Sequence, residues 1–215
     1  MNHDSPIIEV PRRTLDIARP WTAAEGAVWT ALTETTDGSS PRLATLCSLF
    51  HDDDHLYVHF RYEDDEVLAH YRARDEPIYE EEVLELFLAP EKPGRYFEFQ
   101  ISPIGTLFDA IVDNPDGLRE TMHVDRDWNC EGLWGTVRRE RESDGSWRAQ
   151  VILSVPFRSL GVDPPIAGAE WRGNLFRIDR SEIEDSFQAW CPTLRTPPDF
   201  HVPDRFGVFR FVSDR

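Results

Sequence analysis

Apolar and polar residues alternate with a period of two in segment after segment of this chain, the mark of strands with one buried face. Residues 43–50 (LATLCSLF) and 55–62 (HLYVHFRY) flank a polar turn, His51-Asp52-Asp53-Asp54, with Leu56, Val58 and Phe60 on the inward side. Residues 82–89 (EVLELFLA) and 95–102 (RYFEFQIS) flank the turn-forming stretch Pro90-Glu91-Lys92-Pro93-Gly94. Residues 106–112, 147–155, 171–178 and 206–212 complete the predicted strands, separated by turn signals such as Asn114-Pro115-Asp116-Gly117 and Ser143-Asp144-Gly145-Ser146. The spacing of Val67, Leu68 and Tyr71 predicts a helix over 65–74, and a second short helical turn is expected over 156–160. The Pro-rich stretch 192–203 reads as a long ordered loop anchored by Trp190, Phe200 and Phe206. The fold class is all-β, an antiparallel, jelly-roll-like β-sandwich with one or two short helices. It is expected as one domain over 20–215, preceded by a segment 1–19.

The pair 82–89 and 95–102 carries the chemistry. Leu84, Leu86 and Leu88 share one face of the first strand, and Phe97, Phe99 and Ile101 share one face of the second. If the two form a hairpin, these faces must coincide, because a slip of one residue would bury Glu98 and expose Phe97. That register sets Glu85 across from Gln100 and Phe87 across from Glu98. The other face then carries Glu85, Phe87, Tyr96, Glu98 and Gln100, a mixture of carboxyls, an amide and rings. Such a mixture suits a sugar, whose C–H face stacks on rings while its hydroxyls need planar donors and acceptors. The pattern alone fits an ordinary solvent-washed sheet face as well.

Composition narrows the partners. With 40 acidic against 23 basic residues the formal net charge is −17, a field that repels nucleic acid and anionic membranes and is compatible with neutral sugars and divalent cations. At 215 residues and 40% apolar content the chain can fill a core without disulfide or metal staples. Cys47, Cys130 and Cys191 are three, far apart and in no Cys-x-x-Cys spacing, so neither a disulfide framework nor a zinc site is expected. The first residues, MNHDSPIIEVPRR, lack the charged-then-apolar pattern of a secretion signal, and a cytoplasmic protein is the expectation.

Several stretches together go further. They are Glu82-Val83-Leu84-Glu85-Leu86-Phe87-Leu88-Ala89-Pro90, Tyr96 through Asp109, Trp147 leading to Val155-Pro156-Phe157, Trp171-Arg172-Gly173-Asn174-Leu175-Phe176-Arg177, Gln188-Ala189-Trp190-Cys191-Pro192-Thr193, and Phe200-His201-Val202-Pro203-Asp204-Arg205-Phe206-Gly207. In this order and spacing, over about residues 20–213, the chain resembles the family 9-like carbohydrate-binding domains. The resemblance implies a non-catalytic sandwich that holds the end unit of a mono- or oligosaccharide between two aromatic side chains, with polar contacts and, in some members, structural calcium. Carried over by position, Glu85 resembles the acidic ligand residue of the strand, Gln100 a polar contact on its neighbour, and Trp190 one aromatic wall. Tyr79 stands where a tryptophan platform is usual, which gives a smaller stacking face. Asn174 and Arg177 lie on the strand expected beneath the sugar, and Glu98 and His201 complete the candidates.

Each candidate has a structural reading beside it. Glu85 needs a partner, Arg177 in a structural role or a sugar hydroxyl in a functional one. Asn174 and Arg177 have opposite parity, so a regular strand cannot aim both at one ligand unless a bulge near Gly173 intervenes. Trp190 is either a plug over the sandwich or a platform. Trp147 and Trp171 are expected in the core, and Trp21, Trp29, Trp128 and Trp134 in packing roles. Asp52, Asp53 and Asp54 could hold calcium but lack the spaced ligands of an EF-hand. The alternatives to binding are a glycoside hydrolase using Glu85 and Glu98, a haem-binding sandwich, and an interaction module without a ligand. For haem the chain offers as methionines only Met1 and Met122, and Met122 abuts His123.

Overall fold

The two central segments pair in the register that their apolar faces demand. In the computed structural model, which describes residues 5–213, Glu85 opposes Gln100, Leu86 opposes Phe99 and Phe87 opposes Glu98. Fourteen strands are present among the described residues: β1 (Ile7–Pro11), β2 (Thr30–Ala31), β3 (Thr33–Glu34), β4 (Thr45–His51), β5 (His55–Asp64), β6 (Val83–Ala89), β7 (Arg95–Ile101), β8 (Leu107–Asp113), β9 (His123–Asp125), β10 (Trp134–Arg141), β11 (Trp147–Pro156), β12 (Glu170–Asp179), β13 (Ser186–Ala189) and β14 (Gly207–Val212). They form a nine-stranded sheet, β1-β14-β12-β6-β7-β8-β9 with β13 attached to β12 and β3 to β13, and a five-stranded sheet, β10-β11-β5-β4-β2. All pairings are antiparallel except β1 with β14.

The sandwich core lies between the sheets. Leu84, Leu86, Leu88, Phe99 and Ile101 from the large sheet meet Val58, Phe60, Val151 and Leu153 from the small one. The large sheet is buried on its other face too, where Phe87, Tyr96, Phe108, Phe176, Phe200 and Phe206 form a second apolar cluster. This second layer corrects the expectation of a solvent-washed face: β6 is buried at every residue. The cover consists of loops, not of another sheet.

Other expectations meet different outcomes. The segment 1–19, of which residues 1–4 with Met1 lie outside the described residues, is not separate from the sandwich: β1 pairs with β14, and Ile8 and Val10 join the core. The helix expected over 65–74 is an irregular strap, because carboxylates capture its backbone N–H groups. Leu68 N donates to Glu82 Oε1 at 2.7 Å, His70 N to Glu81 Oε2 at 2.6 Å, and Arg72 N to Glu76 Oε2 at 2.7 Å. Such side-chain acceptors compete with helical hydrogen bonds. The turn expected at 156–160 is present as a 3-10 turn, Phe157–Leu160. Of the tryptophans, Trp171 is in the core, Trp147 is half-buried under Arg139 and Arg141, and Trp134 lies at the surface. The three cysteines are buried and free.

Trp190 also belongs to the sandwich core. Its ring stacks on Phe209 at 5.3 Å and 16°, and only a glycine at 207 leaves room for it. A methyl at that position would overlap the indole and come within 2.8 Å of Cys191 Sγ. Gly207→Ala is therefore expected to cost about 1–3 kcal/mol through overpacking, read as a lower denaturation midpoint; an unchanged midpoint would contradict this packing.

Candidate functional site

Where the covering loops do not fill the outer face of the large sheet, a cavity of about 260 Å³ remains. Its floor is the polar set of β6 and β7, and Glu85, Glu98 and Gln100 are only 2%, 5% and 0% exposed. Phe108 of β8 stands beside them because it opposes Gln100 on β7. Tyr79, from a 3-10 turn ahead of β6, meets Phe108 edge-on at 5.6 Å. On the β12–β13 side, Phe200 stacks on Phe176 at 4.2 Å and meets Phe187 at 6.3 Å. Aromatic side chains thus border the floor from both flanks.

The floor is charge-starved. Burial, followed by the neighbouring Glu98, pushes the Glu85 carboxyl well above the ordinary range, with the Gln100 amide acting the other way. Burial also raises Glu98, opposed by a hydrogen bond from Gln100 Nε2 and by the charges of Arg119 and Arg126. Two carboxyls so placed favour holding protons. Among the described residues Gln100 Oε1 has no hydrogen-bond partner, and neither does Arg180 Nε. Both residues line the cavity. Buried polar atoms without partners are costly, so this cavity offers unmet hydrogen-bonding capacity.

Loop contacts fix the rim. The Tyr96 hydroxyl and His201 Nδ1 are 2.7 Å apart, and burial lowers the His201 pKa to about 3, so the ring is neutral. Arg119 Nε donates to Asp199 Oδ1 at 3.0 Å, tying the loop after β8 to the loop before β14. Asn114 Nδ2 donates to the His201 carbonyl at 3.0 Å.

Tyr79, Glu85, Glu98, Gln100 and His201, named from sequence, therefore come together around one cavity. Asn174, Arg177 and Trp190 do not. Asn174 shares the face of Glu85, but its side chain clamps the turn at Cys191: Oδ1 accepts from Leu175 N and Cys191 N, each at 2.9 Å, and Nδ2 donates to the Cys191 carbonyl at 2.8 Å. Arg177 points to the opposite face, where Nη2 lies 3.2 Å from Asp179 and 3.6 Å from Asp64 and the guanidinium sits over Tyr62. Trp190 is held in the core by its packing on Gly207. Phe108, Phe187, Phe200, Arg119, Arg126 and Arg180 also line the cavity and were not among the site candidates named from sequence. Phe108 alone had a signal there, since extending the register by one strand places it beside Gln100.

The calcium expectation at Asp52, Asp53 and Asp54 does not fit the residues. Asp52 Oδ1 accepts from Asp54 N and His55 N, its Oδ2 accepts from the Tyr57 hydroxyl, and Asp53 pairs with Arg12. Among the described residues, the carboxyls that converge within 4.8 Å are Asp64, Glu82 and Asp179. The Arg177 guanidinium already stands among them. Among the described residues, Met122 lines the cavity while adjacent His123, the first residue of β9, is exposed, so the two do not face one haem there.

The residues at 40–211 match the model of carbohydrate-binding family 9, and the chain belongs to that family. Over 98% of its length it is 25% identical to 92% of an extracellular protein of Arthroderma benhamiae. Its fold is similar to that of a candidate carbohydrate-binding protein from Bacteroides uniformis, with a TM-score of 0.77 at 15% identity over 96% of this chain and 99% of the other. A family 9 module from Caldicellulosiruptor kristjanssonii in complex with cellotriose gives 0.61 at 12% identity, over 98% and 95% of the two chains. The same kind of module in complex with glucose gives 0.60 at 12%, over 98% and 97%.

The buried carboxyls make stability depend on pH with a definite sign. Glu82, Glu85, Glu98 and Asp64 all have folded pKa values above their unfolded ones, chiefly through burial. The folded chain keeps protons that the unfolded chain has released. Their contribution is full below about pH 4 and is lost as pH rises through the folded values. His59 and His201 are held neutral and matter only below about pH 6.5. The melting temperature is expected to fall between about pH 7 and about pH 8, and Glu82→Gln is expected to flatten the slope. A flat or rising profile for the unaltered protein would contradict the assignment.

Proposed function

We propose that this family 9 chain is a binding module that holds the terminal unit of a saccharide in the cavity over Glu85, Glu98 and Gln100, and performs no chemistry on it. One observation carries the reading: a buried polar floor with unpartnered Gln100 Oε1 and Arg180 Nε, bordered by aromatic rings, in a member of a carbohydrate-binding family. The sugar's hydroxyls supply the missing partners while its C–H faces meet Tyr79, Phe108, Phe187 and Phe200. The volume, about 260 Å³, falls below the roughly 300–1,000 Å³ of sites for drug-sized ligands. It suits one sugar unit, with the remainder of a chain outside. The ligands of the Caldicellulosiruptor modules, glucose and cellotriose, are the first to try.

The layout disfavours hydrolysis. A glycosidase sets its two carboxyls on either side of the scissile bond, one of them able to act as base or nucleophile. Here Glu85 and Glu98 rise from adjacent strands of one floor, and burial favours the protonated form of each. Chromogenic glycosides are expected to show no turnover.

Sugars surrender good hydration on binding, so dissociation constants on the order of micromolar to millimolar are expected. Titration calorimetry with glucose and cello-oligosaccharides checks this. Gln100→Leu, which keeps the bulk and removes the amide, is expected to weaken binding by at least about tenfold with folding intact by circular dichroism. No heat from any sugar with folded protein, or full affinity in that variant, would overturn the reading.

A further inference from the structure

The charge inside the cavity runs against the charge of the molecule. The chain carries −17 overall, yet the charged residues lining the cavity are Glu85, Glu98, Arg119, Arg126 and Arg180. The two glutamates are the buried pair that favours protons, whereas guanidinium groups stay charged. Two of the three arginines are committed. Arg119 pairs with Asp199, and Arg180 pairs with Asp185 while lying over Phe187. Arg126 differs: its guanidinium carbon lies 5.7 Å from the Tyr79 ring centroid, and among the described residues it makes no ion pair with a carboxylate. An uncommitted guanidinium beside an aromatic platform is a planar, two-pronged receptor for a carboxylate.

We propose that the preferred ligand is an acidic sugar, a terminal hexuronic acid on an otherwise neutral saccharide, whose ring lies against Tyr79 and whose carboxylate is received by Arg126. The inference rests on the saccharide-binding reading and narrows its ligand class. The same −17 limits it to a single terminal acid, because an extended polyanion would be repelled by the rest of the surface. A neutral sugar would satisfy the floor but leave Arg126 without a counter-charge.

The test is titration calorimetry on the full chain with glucose, glucuronate and glucose 6-sulfate, each at low and at about 0.3 M salt. Glucuronate is expected to bind about tenfold more tightly than glucose, with a preference that shrinks as salt rises. In Arg126→Gln, an exposed position where circular dichroism should show an unchanged fold, the affinity ratio of glucuronate to glucose is expected to fall to about one. Glucose binding as well as or better than glucuronate, or a ratio unaffected by Arg126→Gln, overturns the acidic-sugar inference and leaves saccharide binding standing. Tighter binding of the sulfate overturns the carboxylate assignment. No binding of any of the three overturns both.

Discussion

The structure depends on a sheet that is buried on both faces. β6 and β7 must turn Leu84, Leu86, Phe99 and Ile101 into the sandwich, and the period of two then sends Glu85, Glu98 and Gln100 to the other side. In many antiparallel proteins that other side meets water. Here loops cover it with Phe200, Phe206 and their neighbours, so the polar groups are removed from solvent without enough partners. The result is a pair of carboxyls whose pKa values burial raises, an amide oxygen without a partner among the described residues, and a small cavity above them. A ligand rich in hydroxyls would resolve that deficit.

The cover is irregular but not loose. Side chains take over the hydrogen bonds that regular structure would supply. Glu76, Glu81 and Glu82 hold the strap over 65–74, Asn114 and the Tyr96–His201 contact hold the loop before β14, and Arg119 with Asp199 joins two loops at the rim. The loops set the walls of the cavity, while the sheet fixes its floor. The sandwich itself is shared with structures only 12–15% identical over nearly their full length.

The sheet was legible in the sequence because alternation is local. The Leu and Phe faces of one hairpin determine a register, and the register determines which side Glu85 and Gln100 share. Parity also set Asn174 and Arg177 on opposite faces of a regular strand, and β12 runs without a bulge against β6 at these positions. What escaped depended on distant contacts. Trp190 reads equally well as platform or plug until Gly207, seventeen positions later, is seen to leave a slot for its ring. The strap over 65–74 carries a helical spacing of Val67, Leu68 and Tyr71, but acids from the following turn claim its N–H groups. The edge strand β10, with Arg138, Arg139 and Arg141, has too little alternation to be recognised. Phe187 and Phe200 reach the cavity only through the folding of the cover.

The central claim is that the outer face of the nine-stranded sheet, and not its rim or the smaller sheet, receives the ligand. A crystal structure with bound cellobiose or its uronic acid counterpart tests this most directly. A single terminal ring is expected above Glu85 and Gln100, within hydrogen-bonding distance of the Gln100 amide and bordered by Tyr79 and Phe200. A sugar seated on the five-stranded sheet, or a cavity that stays filled by its own side chains at saturating ligand, would contradict it.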